Sequence, residues 1–111
     1  MDRGDIYLVS RPNDANQEGG ALCPVLIVTP ARFNRVTRTP VVLPIASPES
    51  AVRTAGFAVM LEGTGAVTPG VVRCDQPRAI DFSMGEPQKV ERAPLAVMDE
   101  VMAKLVAILN V

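Results

Sequence analysis

The sequence predicts a mainly β fold of the α+β class, a small and strongly curved antiparallel β-sheet or β-barrel closed by a C-terminal α-helix. Three observations carry this reading. Ten prolines and eight glycines among 111 residues cut the chain into short segments. Between those breaks lie short apolar runs rich in Val and Ile, as strands require. After Pro94 the apolar spacing changes to that of one helical face. The length suits one domain, residues 1–111, with a core of its own.

The elements follow in order. Residues 5–10, Asp-Ile-Tyr-Leu-Val-Ser, are a strand, and the polar stretch 11–21 is a loop with nothing to bury. Residues 23–29 form a continuous apolar, β-branched run, the pattern of a central strand. Residues 30–34 make a turn or a single helical turn. The strand at 40–46 carries two prolines, which favour a sheet edge or a bulge. Strands at 57–61 and 71–74 flank the turn-rich Glu62-Gly63-Thr64-Gly65, and a short strand at 78–80 leads into a Gly/Pro loop through Pro87. Pro94 suits the first turn of a helix. Beyond it Met98, Val101, Met102, Leu105, Ile108 and Leu109 form one apolar stripe, read as core, with Asp99, Glu100 and Lys104 off it.

Composition removes several function classes. No apolar run approaches the length of a bilayer span, and residues 1–5 lack the features of a signal peptide, so a cytoplasmic protein is expected, with no membrane partner. Two cysteines without a secretion signal read as reduced thiols. There is no histidine, which excludes Ser-His-Asp and Cys-His catalysis and any His-based metal site. P-loop, dinucleotide-binding and nucleophile-elbow motifs are absent, so neither metal nor cofactor is expected. Net charge is −1, but its distribution is uneven. Residues 32–78 hold six arginines against three acids, and the remainder holds five bases against nine acids. A basic middle of this kind can bind a short anionic segment, and it is equally the pattern of solvated or paired arginines.

Carboxylate and guanidinium chemistry remains. In Val71-Val72-Arg73-Cys74-Asp75, strand alternation puts Arg73 and Asp75 side by side on one face and Cys74 on the other. RNA supplies its own nucleophile, the 2′-hydroxyl, so cleavage needs a base, a cation at the phosphate and a proton for the leaving oxygen. Asp75 fits the base and Arg73 the cation. The same spacing also describes a surface ion pair of little energetic weight, and spacing alone does not choose between them.

A longer pattern bears on that choice. Arg3-Gly4-Asp5-Ile6-Tyr7-Leu8-Val9, Pro24-Val25-Leu26-Ile27-Val28-Thr29-Pro30, Phe33-Asn34-Arg35-Val36-Thr37-Arg38, Arg53-Thr54-Ala55-Gly56-Phe57-Ala58-Val59 and Gly70-Val71-Val72-Arg73-Cys74-Asp75-Gln76-Pro77-Arg78 occur in that order. Together they resemble the MazF/PemK toxin family, most closely its Kid-like branch, over nearly the whole chain. The resemblance implies an SH3-like, CcdB-like barrel with a C-terminal helix, and the toxin of a type II toxin–antitoxin system. Such a toxin is a homodimer and a metal-independent endoribonuclease that cuts single-stranded RNA to inhibit translation and growth. It is blocked by a cognate antitoxin and binds operator DNA only as the toxin–antitoxin complex. Carried over, the catalytic residues fall on Arg73 and Asp75. The RNA-binding positions fall on Gln17, Glu18, Ser47, Arg53, Ala55, Phe57, Thr68 or Pro69, and Val71.

Three positions depart from the family pattern. The family His of the first long loop is Gln17, the Arg before Pro-Val-Leu-Ile is Cys23, and a Thr after the third strand is Ala46. Gln17 has no titratable proton near neutrality, and a thiol at position 23 replaces neither the charge nor the bidentate donors of Arg. These departures predict weakened cleavage or a toxin homologue that binds antitoxin or RNA without cutting. A gyrase poison of the same fold is a further alternative. Those proteins end in Trp-Gly-Ile, and this chain has no Trp. Cys23 reads as a small filler, because nothing nearby in sequence lowers its pKa.

Overall fold

The apolar run at 25–28 becomes a strand buried on both faces, and the sheet is built outward from it. The structure, a computed structural model, describes residues 1–10, 22–49, 56–82 and 86–110. Its elements are β1 (Asp5–Ser10), β2 (Leu22–Ile27), α1 (Ala31–Thr37), β3 (Val41–Ala46), β4 (Ala58–Met60), β5 (Val71–Arg73), β6 (Arg78–Ala79), β7 (Gln88–Arg92) and α2 (Leu95–Leu109). The sheet order is β4-β5-β3-β2-β1-β7, with β6 also on β3, and each pairing is antiparallel.

The α+β class and the closing helix agree with expectation; the barrel does not close. Among the described residues β4 and β7 are the unjoined ends of an open sheet. The proline-bearing β3 is central, not an edge. One side of it pairs with β2 through Val42–Pro44, while the other pairs with β6 at Val41 and Val42 and with β5 at Ile45 and Ala46. Pro44 sits where that second side changes partner, a place where a missing N–H is tolerated. Pro24 is placed by the same logic, because β2 pairs with β3 only from Val25 onward.

Alternation sorts the side chains into two clusters. Ile6, Leu26, Leu43, Ile45, Val59, Val72 and Cys74 face α2, which contributes Val97, Met98, Val101 and Leu105. Val9, Val25, Ile27 and Val42 line the outer face under Tyr7, Ile80 and Phe82. The helical stripe is read correctly at Met98, Val101 and Leu105. Leu109 is exposed because the last turn runs past the core, and Val97 takes a core place instead. The expected single turn at 30–34 extends to a seven-residue helix. Strand β7 falls where no element is expected: Gln-Lys-Val-Glu-Arg has no buried alternation. It pairs with β1 and closes on the buried Asp5 carboxylate through Lys89 at 3.5 Å and Arg92 at 3.3 Å. An edge strand held by its ladder and ion pairs needs no apolar face.

Gly70 delivers the chain to β5. Its φ is +118°, and a β-carbon there would be driven into the carbonyl oxygen of Ala46. Both backbone strain and overlap with a rigid strand oppose any side chain. Gly70→Ala is expected to lower stability by about 2–3 kcal/mol. Urea denaturation measures this, and an unchanged midpoint would contradict the packing described.

Candidate active site

Strand β5 ends at Arg73, and the next two residues turn the chain back, with the Gln76 N–H 3.3 Å from the Arg73 carbonyl. The turn brings Asp75 beside Arg73 in a two-pronged contact: Nε donates to Oδ1 at 2.9 Å and Nη2 to Oδ2 at 2.8 Å. Asp75 reaches solvent at 30% exposure, while the Arg73 side chain is largely covered at 14%. The Arg73 hydrogen bonds hold the Asp75 carboxyl below its ordinary range, and Asp75 in turn raises the Arg73 pKa. The fork uses two of the five guanidinium N–H groups, leaving three for an anion.

Cys74, between them, turns inward as expected and is buried in the core. Burial pushes its thiol up to about 11, which makes it inert. Its N–H donates to the Phe57 carbonyl at 3.0 Å, so Phe57, half exposed, borders the pair. Lys104 of α2 donates to the neighbouring Gly56 carbonyl at 2.6 Å and ties this rim to the helix.

The strand registers lay out the surface around the pair. Continued by one residue, they set Val25, Pro44, Arg73 and Ala58 level across four strands. The next row is Cys23, Ala46, Val71 and Met60, although the β2–β3 ladder itself stops at Val25. By alternation along β2 and β3, Cys23 and Ala46 share the face of Arg73, and Cys74 faces away.

The other sequence-derived positions divide. Ser47 is exposed just beyond β3 and hydrogen-bonds the Glu49 carboxylate. The side chains of Thr68 and Val71 are buried. Val71 lies on the same face as Arg73 yet is covered, and the Thr68 hydroxyl donates to Glu91 at 2.6 Å. Gln17, Glu18, Arg53 and Ala55 lie outside the described residues.

Glu91 is a residue that sequence reasoning missed. From β7 its carboxylate accepts the N–H groups of Val67 at 3.0 Å and Thr68 at 2.6 Å, besides the Thr68 hydroxyl. It thereby fastens the loop that feeds β5. No local signal marks a pairing across 23 residues of chain. Burial pushes the Glu91 carboxyl up, but the hydrogen bonds from Thr68 and Val67 outweigh it and the net shift is downward. A carboxyl lowered by folding stabilises the protein above the ordinary glutamate range, about 4.3, and loses that contribution as pH falls through the lower folded value. Glu91→Gln is expected to cost about 1 kcal/mol at pH 7 and to make the acid limb of stability shallower. Urea midpoints from pH 7 to pH 3 measure both, and parallel curves for the two proteins would contradict the assignment.

Among the described residues no group of His, Cys, Asp or Glu is placed to hold a metal, and no helix is long and apolar enough to cross a membrane. Residues 2–109 match the family described as PemK-like, MazF-like toxin of type II toxin–antitoxin system. The chain is 54% identical over 110 residues to Endoribonuclease PemK of Escherichia coli, covering 99% of this chain and 83% of that protein. The MazE–MazF structure (Form-II) from Deinococcus radiodurans superposes with a TM-score of 0.79 at 30% identity, covering 99% of this chain and 96% of that one. A mycobacterial endoribonuclease in complex with its cognate antitoxin shares the fold at a TM-score of 0.78 and 20% identity, covering 100% and 96%.

Proposed function

Because the chain belongs to the PemK-like, MazF-like toxins of type II toxin–antitoxin systems, we propose that it is an endoribonuclease that cuts single-stranded RNA, with Arg73 and Asp75 as its catalytic pair. The observation that carries this assignment is the two-pronged fork between them, open to solvent at Asp75 and with three guanidinium N–H groups unused. A phosphodiester offers Arg73 the same paired oxygens that Asp75 offers. When a phosphate takes over the guanidinium, Asp75 loses the contact that lowers its pKa and becomes a better base. It then accepts the 2′-hydroxyl proton. The 2′-oxygen attacks phosphorus, the bond to the 5′-oxygen breaks, and that oxygen leaves with a proton from water while Arg73 holds the phosphoryl oxygens.

Cys23 and Ala46 sit on the same face, where the family pattern carries Arg and Thr. A cation and a hydroxyl are thereby missing near the phosphate, so cleavage is slower than in a relative that retains both. The partner of this toxin is an antitoxin, consistent with the antitoxin-bound forms among the similar structures. The toxin acts as a homodimer, and operator DNA is bound only by the complex with antitoxin. Exposed Val106 and Leu109 on α2 support a further contact surface. Sedimentation of the chain alone tests the dimer, and a monomer at micromolar concentration would refute it.

Asp75→Ala and Arg73→Ala are each expected to lower the cleavage rate of a mixed-sequence RNA at least about 100-fold. Asp75→Ala should change stability by no more than about 1 kcal/mol, because Asp75 is exposed, whereas the largely covered Arg73 makes Arg73→Ala the costlier change. Cys23→Arg is expected to raise the rate. Equal cleavage by the wild type and both alanine variants would sink the site. A wild type that binds antitoxin and cuts nothing would favour the binding-only homologue.

A further inference from the structure

A second cationic feature lies outside the pair. At the C-terminal end of α1, Met1, Asn34, Arg35, Arg38, Pro40 and Phe82 enclose an open groove of about 340 Å³. Asn34 is fully engaged, its amide donating to the Met1 and Thr29 carbonyls and its oxygen accepting from the Thr29 hydroxyl, so it belongs to the scaffold. Arg35 and Arg38 differ. Both are exposed, and among the described residues neither side chain makes an ion pair or hydrogen bond.

Arg38 also carries a conformational cost. It caps α1 at φ 56° and ψ 15°, and no other described residue except glycine has positive φ. Glycine or asparagine adopts this left-handed position with less strain. A cation near a helix C-terminus gains something from the helix dipole, and Arg35 in the last turn supplies that without strain. A second, strained arginine beside it calls for another reason.

The register supplies one. Arg73 is level with Pro44 on β3, and Arg78 pairs with Val42. The Ile80 N–H then donates to the Pro40 carbonyl at 3.1 Å, and Pro40 and Phe82 form one wall of the groove. Pro44, Val42 and Pro40 are successive alternate residues of one strand and its entry, about 7 Å apart. Three cationic stations therefore follow one lane of the outer face: Arg73, then Arg78, then Arg38 with Arg35. Arg78 is exposed and, like Arg35 and Arg38, has no partner among the described residues.

Resting on the nuclease reading above, we infer that Arg78, Arg38 and Arg35 form a phosphate track for the RNA strand flanking the cleaved bond. The track ends in the α1 groove, where Pro40 and Phe82 offer an apolar wall to a base. The spacing is comparable with the step between phosphates of an extended strand, and unpaired arginines beside an aromatic surface are the usual means of holding single-stranded nucleic acid without reading its sequence. The ion pair would cut, and the track would set how much flanking strand is held.

The test is fluorescence anisotropy with the full chain and RNA strands made uncleavable by a 2′-deoxy group at the scissile position. A minimal strand is compared with strands extended by several nucleotides on the 5′ or the 3′ side. One of the two extensions is expected to tighten binding about tenfold. Arg35→Gln/Arg38→Gln should abolish that gain, leave the minimal strand bound as before, and reduce the slope of log K against log salt by about 1–2. Arg38→Gly should lose part of the gain while raising the melting temperature, a combination that a purely structural cation would not produce. No gain from either extension, or a gain that survives the double variant, would overturn the track. Loss of antitoxin binding in the double variant with the RNA gain intact would also overturn it, assigning the groove to the antitoxin. A wild type that cuts no RNA but shows the length-dependent gain would sink the nuclease reading and uphold the track.

Discussion

The split pairing of β3 is the constraint on which the rest of the structure depends. One side of this strand is held by β2, while the other is shared between β6 at its start and β5 at its end. The sharing lets two short, weak strands join the sheet on one lane, and it places Arg73 and Arg78 on one face two residues apart along β3. The same strand is buried on both sides, its Leu43 and Ile45 facing α2 and its Val42 in the outer cluster. A one-residue slip of β5 against β3 would exchange the faces of β5, turning Arg73 into the core and Val72 and Cys74 out of it. Register is thus secured by packing, and the polar site inherits its precision from that packing.

The chemistry follows from the absence of histidine. A carboxylate and a guanidinium that hold one another are each a poor acid–base group while paired, since each stabilises the charged form of the other. They become useful when a third, anionic group competes for the guanidinium. On the proposed reading the substrate is that competitor. The intervening cysteine takes no part, because burial keeps its thiol protonated.

Much of this was legible in the sequence, and the exceptions have physical reasons. The apolar run at 25–28 announces a central strand because both of its faces are buried. Arg73-Cys74-Asp75 announces alternation because the cysteine is the only apolar member, and the structure turns it inward. Strand β7 stayed hidden because Gln88, Lys89 and Val90 are exposed and its order comes from β1 and the Asp5 ion pairs, which are remote in sequence. The anchoring of Thr68 by Glu91 is invisible for the same reason. The prolines of β3 pointed to an edge, and a strand that changes partner partway along proved an equally good place for them.

The central claim is that Asp75 is a carboxylate held in reserve by Arg73 and freed by a phosphate. NMR titration of the Asp75 carboxyl, with and without an uncleavable single-stranded RNA, tests it most directly. The account predicts a pKa below the usual aspartate value of about 3.9 in the free protein and an upward displacement when RNA is bound. A titration unchanged by RNA, with the Arg73–Asp75 contact intact in the complex, would contradict it.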